Sequence, residues 1–395
     1  MEALKKILNV ANLRVLLLAS TFSSFAYGLL SNTLNIAIFE NFKNILLVGA
    51  IGVLLSTPLF GPLIGPLVDS ARRKKRIYIY TRLVRVPILV SFVFLLSSPL
   101  GLLVLAVMEN FLSSVSVSVY YYIQRTHLAS FNEFATYNSL SVSIGGLVNR
   151  VMTPIIVGVL MVYHETALPI VLAAAMYMAT VPILSMLKIE EERADGPVTR
   201  TPFKPYLDLL RTNKVFLSFE AFMYAVAFIG APSSVLLIGL LYSFKNFAIS
   251  YGIAFLIVGI GGMTGAGLAS IIRLRTVFHL MLLGALFGVL DILVATLHAN
   301  FLYLLAVVAA QALVGGYLLI HIDSAYLSMI PKETVGSIRG AMTFLGTIAT
   351  SGGIVAFSAV ATKLGIPMTF YLIGTAEIGI TLVAMKFNIR RLALE

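Results

Sequence analysis

The chain has no cysteine among its 395 residues. Disulfides, thiolate metal sites and cysteine nucleophiles are therefore excluded, and the compartment stays open. Charge is also scarce: Asp, Glu, Lys and Arg make up 11 %, against about 25 % in soluble domains. The five histidines are scattered, so no metal-binding cluster is expected. There is no nucleophile elbow and no phosphate loop. Gly265-Ala266-Gly267-Leu268-Ala269-Ser270 is a broken dinucleotide-type pattern inside an apolar stretch. An enzyme, a cofactor and direct use of ATP are not expected. Met1-Glu2-Ala3-Leu4-Lys5-Lys6 lacks the short apolar core and small-residue cleavage site of a secretory signal, so the first apolar segment is expected to stay in the mature protein.

What is abundant is apolar surface, at 59 % hydrophobic residues. A soluble fold has too few polar groups here to cover that interior. Apolar stretches of roughly 20 residues recur along the chain, the length that crosses about 30 Å of hydrocarbon. In lipid every backbone amide must be paired, so such stretches are helices or barrel strands. Continuous hydrophobicity, without ten-residue alternation, selects helices.

The expected spans are 14–38, 44–68, 77–97, 100–122, 138–161 and 166–187, then 214–241, 248–271, 277–297, 301–329, 340–362 and 367–387. Twelve spans put both termini on one side. Of 28 Lys and Arg residues, 24 are assigned to that side, Arg82 and Arg85 among them. Lys43, Lys245 and Lys363 fall opposite, and Arg150 lies within a span. Positive loops face the cytoplasm, so cytoplasmic termini in the cell membrane are expected. The net charge of +11 is accounted for by these loops rather than by nucleic acid.

One polar stretch, 188–213, with Glu190-Glu191-Glu192-Arg193 and three prolines, divides the chain near its middle. The domains expected are thus 1–187, a linker 188–213, and 214–395. A shift of about 201 positions brings Asn12 onto Asn213, Arg72 and Lys74 onto Arg273 and Arg275, and Asn132-Glu133 onto Glu333-Thr334. The fold class expected is an all-α membrane protein of twelve transmembrane helices in two pseudo-symmetric six-helix halves.

After span 2 the chain reads Gly61-Pro62-Leu63-Ile64-Gly65-Pro66-Leu67-Val68-Asp69-Ser70-Ala71-Arg72-Arg73-Lys74-Lys75-Arg76. This resembles the loop between helices 2 and 3 of major facilitator superfamily transporters. Gly65, Asp69, Arg73 and Lys74 fit, while Ser70 and Arg72 depart from the pattern. The departures resemble the branch that includes enterobactin and macrolide exporters. Arg125-Thr126-His127 through Asn138-Ser139-Leu140, and Ile330-Pro331-Lys332-Glu333 through Arg339-Gly340, look like the loops between helices 4 and 5 and between 10 and 11. Thr153-Pro154-Ile155-Ile156-Val157-Gly158 partly resembles the helix 5 motif of the superfamily's proton-coupled exporters. The resemblance implies a secondary transporter of a small molecule working by alternating access. It also implies a conformational latch of Gly65, Asp69, Arg73, Lys74 and Arg339. Spans 1, 4, 7 and 10 would line the cavity, and spans 3, 6, 9 and 12 would be peripheral. Protons, membrane lipids and a monomeric state complete the expectation.

Ionisable residues inside spans cost about 2.5–3.5 kcal/mol each at the bilayer centre and mark function by default. Glu109, Arg150, Glu220, Asp291, His321, Asp323 and Glu377 are such residues. The cavity-lining rule favours Glu109, Glu220, His321 and Asp323 over Asp291 and Glu377. Glu109, Ser113, Ser116 and Tyr120 recur at helical spacing, as do Tyr27 and Asn35 on span 1 with Ser24 and Ser31. Glu109 lies roughly 13 Å below the outer end of span 4, and Arg150 roughly 18 Å above the inner end of span 5. These depths match, so the two are expected to pair. Acids outnumber Arg150, which favours proton-driven export of a cationic or amphipathic organic compound. A uniporter or symporter of an anionic metabolite, and a non-transporting receptor, are the alternatives.

Overall fold

Apolar stretches of this length satisfy their amides by coiling, and the structure is helical along its described length. It is a computed structural model that describes residues 9–56, 59–61, 64, 67–68, 71–128, 137, 140–141, 143–163, 165–188, 203–272, 277–330 and 335–385. Eleven helices are long and apolar enough to cross a membrane. A shorter apolar helix, Ile45–Ser56, occupies the first part of the expected second span. Twelve spans in two halves are therefore present, as expected. The chain divides into two compact units. One comprises Met1–Lys43 with Ile51–Val198, the other Asn44–Ala50 with Thr199–Glu395.

The first unit contains α1 (Ala11–Phe42), the second half of α2 (Ile45–Ser56), α3 (Lys74–Phe94) and α4 (Pro99–His127). A π-helical turn, Leu147–Met152, then leads into α5 (Thr153–Val162), and α6 (Ala167–Ser185) follows. Pro154, which has no N–H to donate, follows the π-helical turn inside the continuous span Ser143–Val162. The ends of α1, α3 and α6 are tied by specific polar contacts. Lys75 Nζ donates to the carbonyls of Ser185 and Leu187 at 2.6 Å each, capping α6 with a cation. Asn12 accepts from Lys188 N at 2.9 Å and donates to its carbonyl at 2.6 Å. Lys75, one of the basic-loop residues, thus has a structural task beyond topology.

The second unit opens with a short amphipathic helix, α7 (Lys204–Thr212), and then α8 (Lys214–Gly230). Asn213 caps α8, accepting from the amides of Val215 and Phe216. The span continues as α9 (Pro232–Leu241), because Pro232 has no N–H to carry the helix through. Five further helices complete the described part of the unit: α10 (Phe247–Ile271), α11 (Val277–Leu297), α12 (Phe301–Met329), α13 (Val335–Leu364) and α14 (Ile366–Ala384). α10 and α12 meet backbone to backbone. A Cβ on Gly261 would stand 2.9 Å from Ala312 Cβ, and one on Gly265 would overlap the Leu313 carbonyl. Gly261 and Gly265 therefore make a tight helix contact, while Gly61 has open space beside it.

Candidate functional site

α3 turns one face inward, with Tyr78, Thr81, Arg82, Arg85, Ile88, Leu89 and Phe92 buried at intervals of three and four. Two arginines lie on that face, 5 % and 3 % exposed. Arg85 Nε reaches both carboxylate oxygens of Glu109 on α4 at 2.9 Å. Arg82 Nη2 donates to the Tyr78 hydroxyl at 3.1 Å. The Arg85 and Arg82 guanidinium groups lie 4.7 and 5.3 Å from the Tyr177 ring of α6. Among the described residues Arg82 Nε and Arg85 Nη2 are buried without a hydrogen-bond partner. Two cations and one carboxylate therefore share this core.

This corrects two expectations. Arg82 and Arg85 are interior groups rather than loop charges, which removes two from the 24 assigned to the termini side. Glu109 pairs with Arg85, not Arg150. Equal depth brings two side chains together only if their helices also turn them to each other, and depth arithmetic does not contain that angle.

Arg150 is exposed, and it makes no hydrogen bond or ion pair among the described residues. It belongs to the π-helical turn, a feature often found at functional sites. α1 presses against that turn. A Cβ on Gly28 would come within 2.6 Å of Asn149 Oδ1, and Asn32 Nδ2 donates to Thr153 Oγ1 at 3.1 Å. Tyr27, half-buried on α1, hydrogen-bonds Ser31 and lies within electrostatic range of both Glu109 and Arg150.

The polar stripe of α4 faces its own bundle. Ser116 Oγ donates to Thr81 Oγ1 at 3.2 Å, and the Tyr120 hydroxyl meets Ser141 Oγ at 3.2 Å. Ser116 and Glu109 are buried, while Ser113, Tyr120, Tyr27 and Asn35 are half-buried. At Glu109 and Ser116 the stripe joins helices rather than lining open water.

In the second unit Glu220 is buried beneath tyrosines. The Tyr206 hydroxyl of α7 donates to Glu220 Oε1 at 3.2 Å and meets the Tyr224 hydroxyl at 3.1 Å. Tyr326 also reaches Glu220, and the Arg339 guanidinium lies 6.0 Å over the Tyr326 ring. Burial pushes the Tyr206 phenol up to about 12, so it stays a donor. His321 is buried, with Nδ1 3.0 Å from the Tyr317 carbonyl, which only accepts, so Nδ1 carries the proton. The Asp323 side chain lies outside the described residues, as do Gly65 and Asp69 of the expected latch. Arg73 is exposed at the start of α3. Lys74 is buried, donating to the Ala71 carbonyl at 2.9 Å and lying 4.1 Å from the Tyr122 ring centre. Among the described residues there is no cluster of three metal-ligating side chains.

Sequence reasoning missed Arg82 and Arg85 as core groups, and discounted Asp291 and Glu377, both buried here. The signal for the arginines was present: Tyr78, Arg82, Arg85, Leu89 and Phe92 mark one face of a helix.

The family model of the Major Facilitator Superfamily matches residues 16–356. Among solved structures, the nucleoside transporter NupG superposes with a TM-score of 0.71 at 14 % identity, over 95 % of this chain and 99 % of that one. A POT family transporter in complex with 5-aminolevulinic acid superposes with a TM-score of 0.74 at 13 % identity, over 94 % of each chain. At these identities the likeness is one of fold. No curated protein sequence matches. A family model covering most of the chain, a fold shared end to end with transporters, and twelve apolar helices in two units agree: this chain belongs to the major facilitator superfamily and is a multi-pass membrane transporter.

Proposed function

We propose that the chain carries a small, negatively charged organic solute by alternating access, in symport with protons, with Arg150 receiving the anionic group. The observation behind this reading is Arg150 itself: exposed, unpaired among the described residues, and within a span. An arginine at membrane depth faces protein or water rather than lipid. The argument for a cationic cargo counted Glu109 as an open acid. Arg85 already neutralises it, and the first unit's interior carries an excess of positive charge. The charge of the loops supports cytoplasmic termini in the cell membrane, and the reading takes a monomer as the working unit, since one chain carries all the named groups.

The experiment is uptake into proteoliposomes under an imposed pH gradient, screening carboxylates, organic phosphates and sulfonates beside matched cations. An anion should accumulate, with at least a tenfold loss in Arg150→Gln and recovery in Arg150→Lys. Accumulation of a cation, or full anion uptake by Arg150→Gln, overturns the reading.

A further inference from the structure

The second unit holds a buried polar cluster apart from the groups assigned above to the cargo. Asp291 on α11 and Glu377 on α14 are 0 % and 3 % exposed. Gln311 Nε2 of α12 donates to Asp291 Oδ1 at 2.7 Å, and Ser233 Oγ of α9 donates to Oδ2 at 3.3 Å. The Glu377 carboxyl is within hydrogen-bonding reach of the same group. Three helices thus send a polar side chain onto the carboxyl of a fourth. Among the described residues no Lys, Arg, His or Tyr acts on either acid from any helix around them. Glu377 Oε2 is buried with no hydrogen-bond partner among the described residues.

The helix facing Glu377 is interrupted at that point. Glu377 Oε1 lies 2.5 Å from where a Cβ on Gly230 would stand, beside the break between α8 and α9. α9 also carries Ser233, so movement at the break acts on both partners. The duplication adds a comparison. An offset of about 201 positions carries Glu109 to the neighbourhood of Gln311 and Tyr177 to that of Glu377. In the first unit span 3 answers the acid with Arg85. In the second, span 9 supplies Asp291 instead.

An ionised carboxylate only accepts hydrogen bonds, so two carboxyl groups in contact require a proton between them. Asp291 already accepts from Gln311 and Ser233, which makes it the ionised member and Glu377 the acid that donates. Two bare negative charges in this dry setting, with no cation beside them, would be prohibitive. We propose that the Asp291–Glu377 pair is a proton-binding site of this transporter, its proton held on Glu377 and exchanged with water when span 7 opens at the Gly230–Pro232 break. Only an O–H bond is exchanged: Glu377 gives a proton to water as it leaves the site and takes one back on return. A metal cation fits less well, because Gln311 turns its N–H rather than its carbonyl toward Asp291, and hard cations take oxygen ligands. The use of this proton in coupling rests on the symport reading; its presence on Glu377 does not.

Infrared difference spectroscopy of the chain in liposomes, cycled in pH and exchanged into heavy water, tests the site without a cargo. The wild type should show a protonated-carboxyl band that shifts in heavy water and vanishes at alkaline pH. Glu377→Gln should lose the band completely, Asp291→Asn should shift its frequency, and Glu109→Gln should leave it in place. If Glu377→Gln does not fold, the wild-type band and the Asp291→Asn shift carry the test. No band in the wild type, a band surviving in Glu377→Gln, or one unshifted in Asp291→Asn overturns the proposal. So does a band removed by exchanging choline for sodium at constant pH, which assigns the site to a metal cation. A normal band beside a failed anion screen overturns the cargo reading alone.

Discussion

Replacing Arg85 by Leu tests the interior of the first unit most sharply. The substitution leaves the Glu109 carboxylate 3 % exposed with its ion-pair partner gone. Removing one member of a buried pair costs about 3–5 kcal/mol, because the other charge is stranded. Adding Glu109→Leu removes that stranded charge, and replacing a whole buried pair by apolar groups is often neutral or better. The double variant should therefore recover most of the loss, giving a favourable coupling of roughly 2–4 kcal/mol. Arg82 sets the asymmetry. Glu109→Leu alone leaves two buried guanidinium groups, yet both keep the π faces of Tyr78 and Tyr177, each contact worth about 0.5–2 kcal/mol. Arg150→Ala, at an exposed position, should fall within about 0.5 kcal/mol of wild type. The assay is thermal stability in detergent for the four proteins of the cycle and for Arg150→Ala with and without Glu109→Leu. Additive losses for Arg85 and Glu109, or rescue of Arg150→Ala by Glu109→Leu, would refute the pairing.

Other outcomes follow from separate parts of the fold. Gly265→Ala should cost about 1–3 kcal/mol or more by forcing α10 from the Leu313 carbonyl, whereas Gly52→Ala, with open space beside it, should be neutral or stabilising; melting temperatures compare them. Burial lowers the His127 imidazole, which accepts from Asn12 Nδ2 at 3.0 Å. Its folded pKa lies below the unfolded value of about 6.5, so the neutral form's stabilisation holds above that value and is lost as pH falls through the folded one. His127→Gln should flatten the stability profile of the protein as pH falls below about 6.5; an unchanged slope would exclude His127 as its source. Since the chain has no cysteine, single cysteines at Ser70, Ser130 and Thr199 should label only from the cytoplasm, and those at Ser98 and Asn246 only from outside. A swap between the sets would overturn the orientation.

The fold was largely legible because lipid allows few solutions. Length and hydropathy alone placed the helices, and the linker and the duplication divided them into halves. The site was less legible. Arg82 and Arg85 adjoin the run Arg72–Arg76, and a count of positive charge does not separate a loop arginine from one three turns into a helix. Glu109 was correctly singled out as an interior acid, but its partner depended on helix rotation. Asp291 and Glu377 were set aside because spans 9 and 12 are peripheral to a central cavity, yet a helix peripheral to the cavity still has a face inside its own bundle. Gly230 and Pro232 are plain in the sequence; that their break lies against Glu377 is a fact of packing alone.

The glycine contact between α10 and α12 has a mechanical consequence. Where backbones touch with no side chains between them, there is no cushion of rotamers to absorb a shift. Gly316 against Gly262 repeats the contact, and Gly288 against Gly374 does the same for α11 and α14. Each pair behaves as a stiff rib, because sliding one helix past the other would drive carbonyls into carbonyls. Gly353 makes the same contact with the Phe228 backbone just before span 7 is interrupted, so bending of the second unit concentrates where the helix ladder itself is cut. That place is Gly230-Ala231-Pro232, and a transporter built this way flexes at one joint while its paired helices travel as blocks.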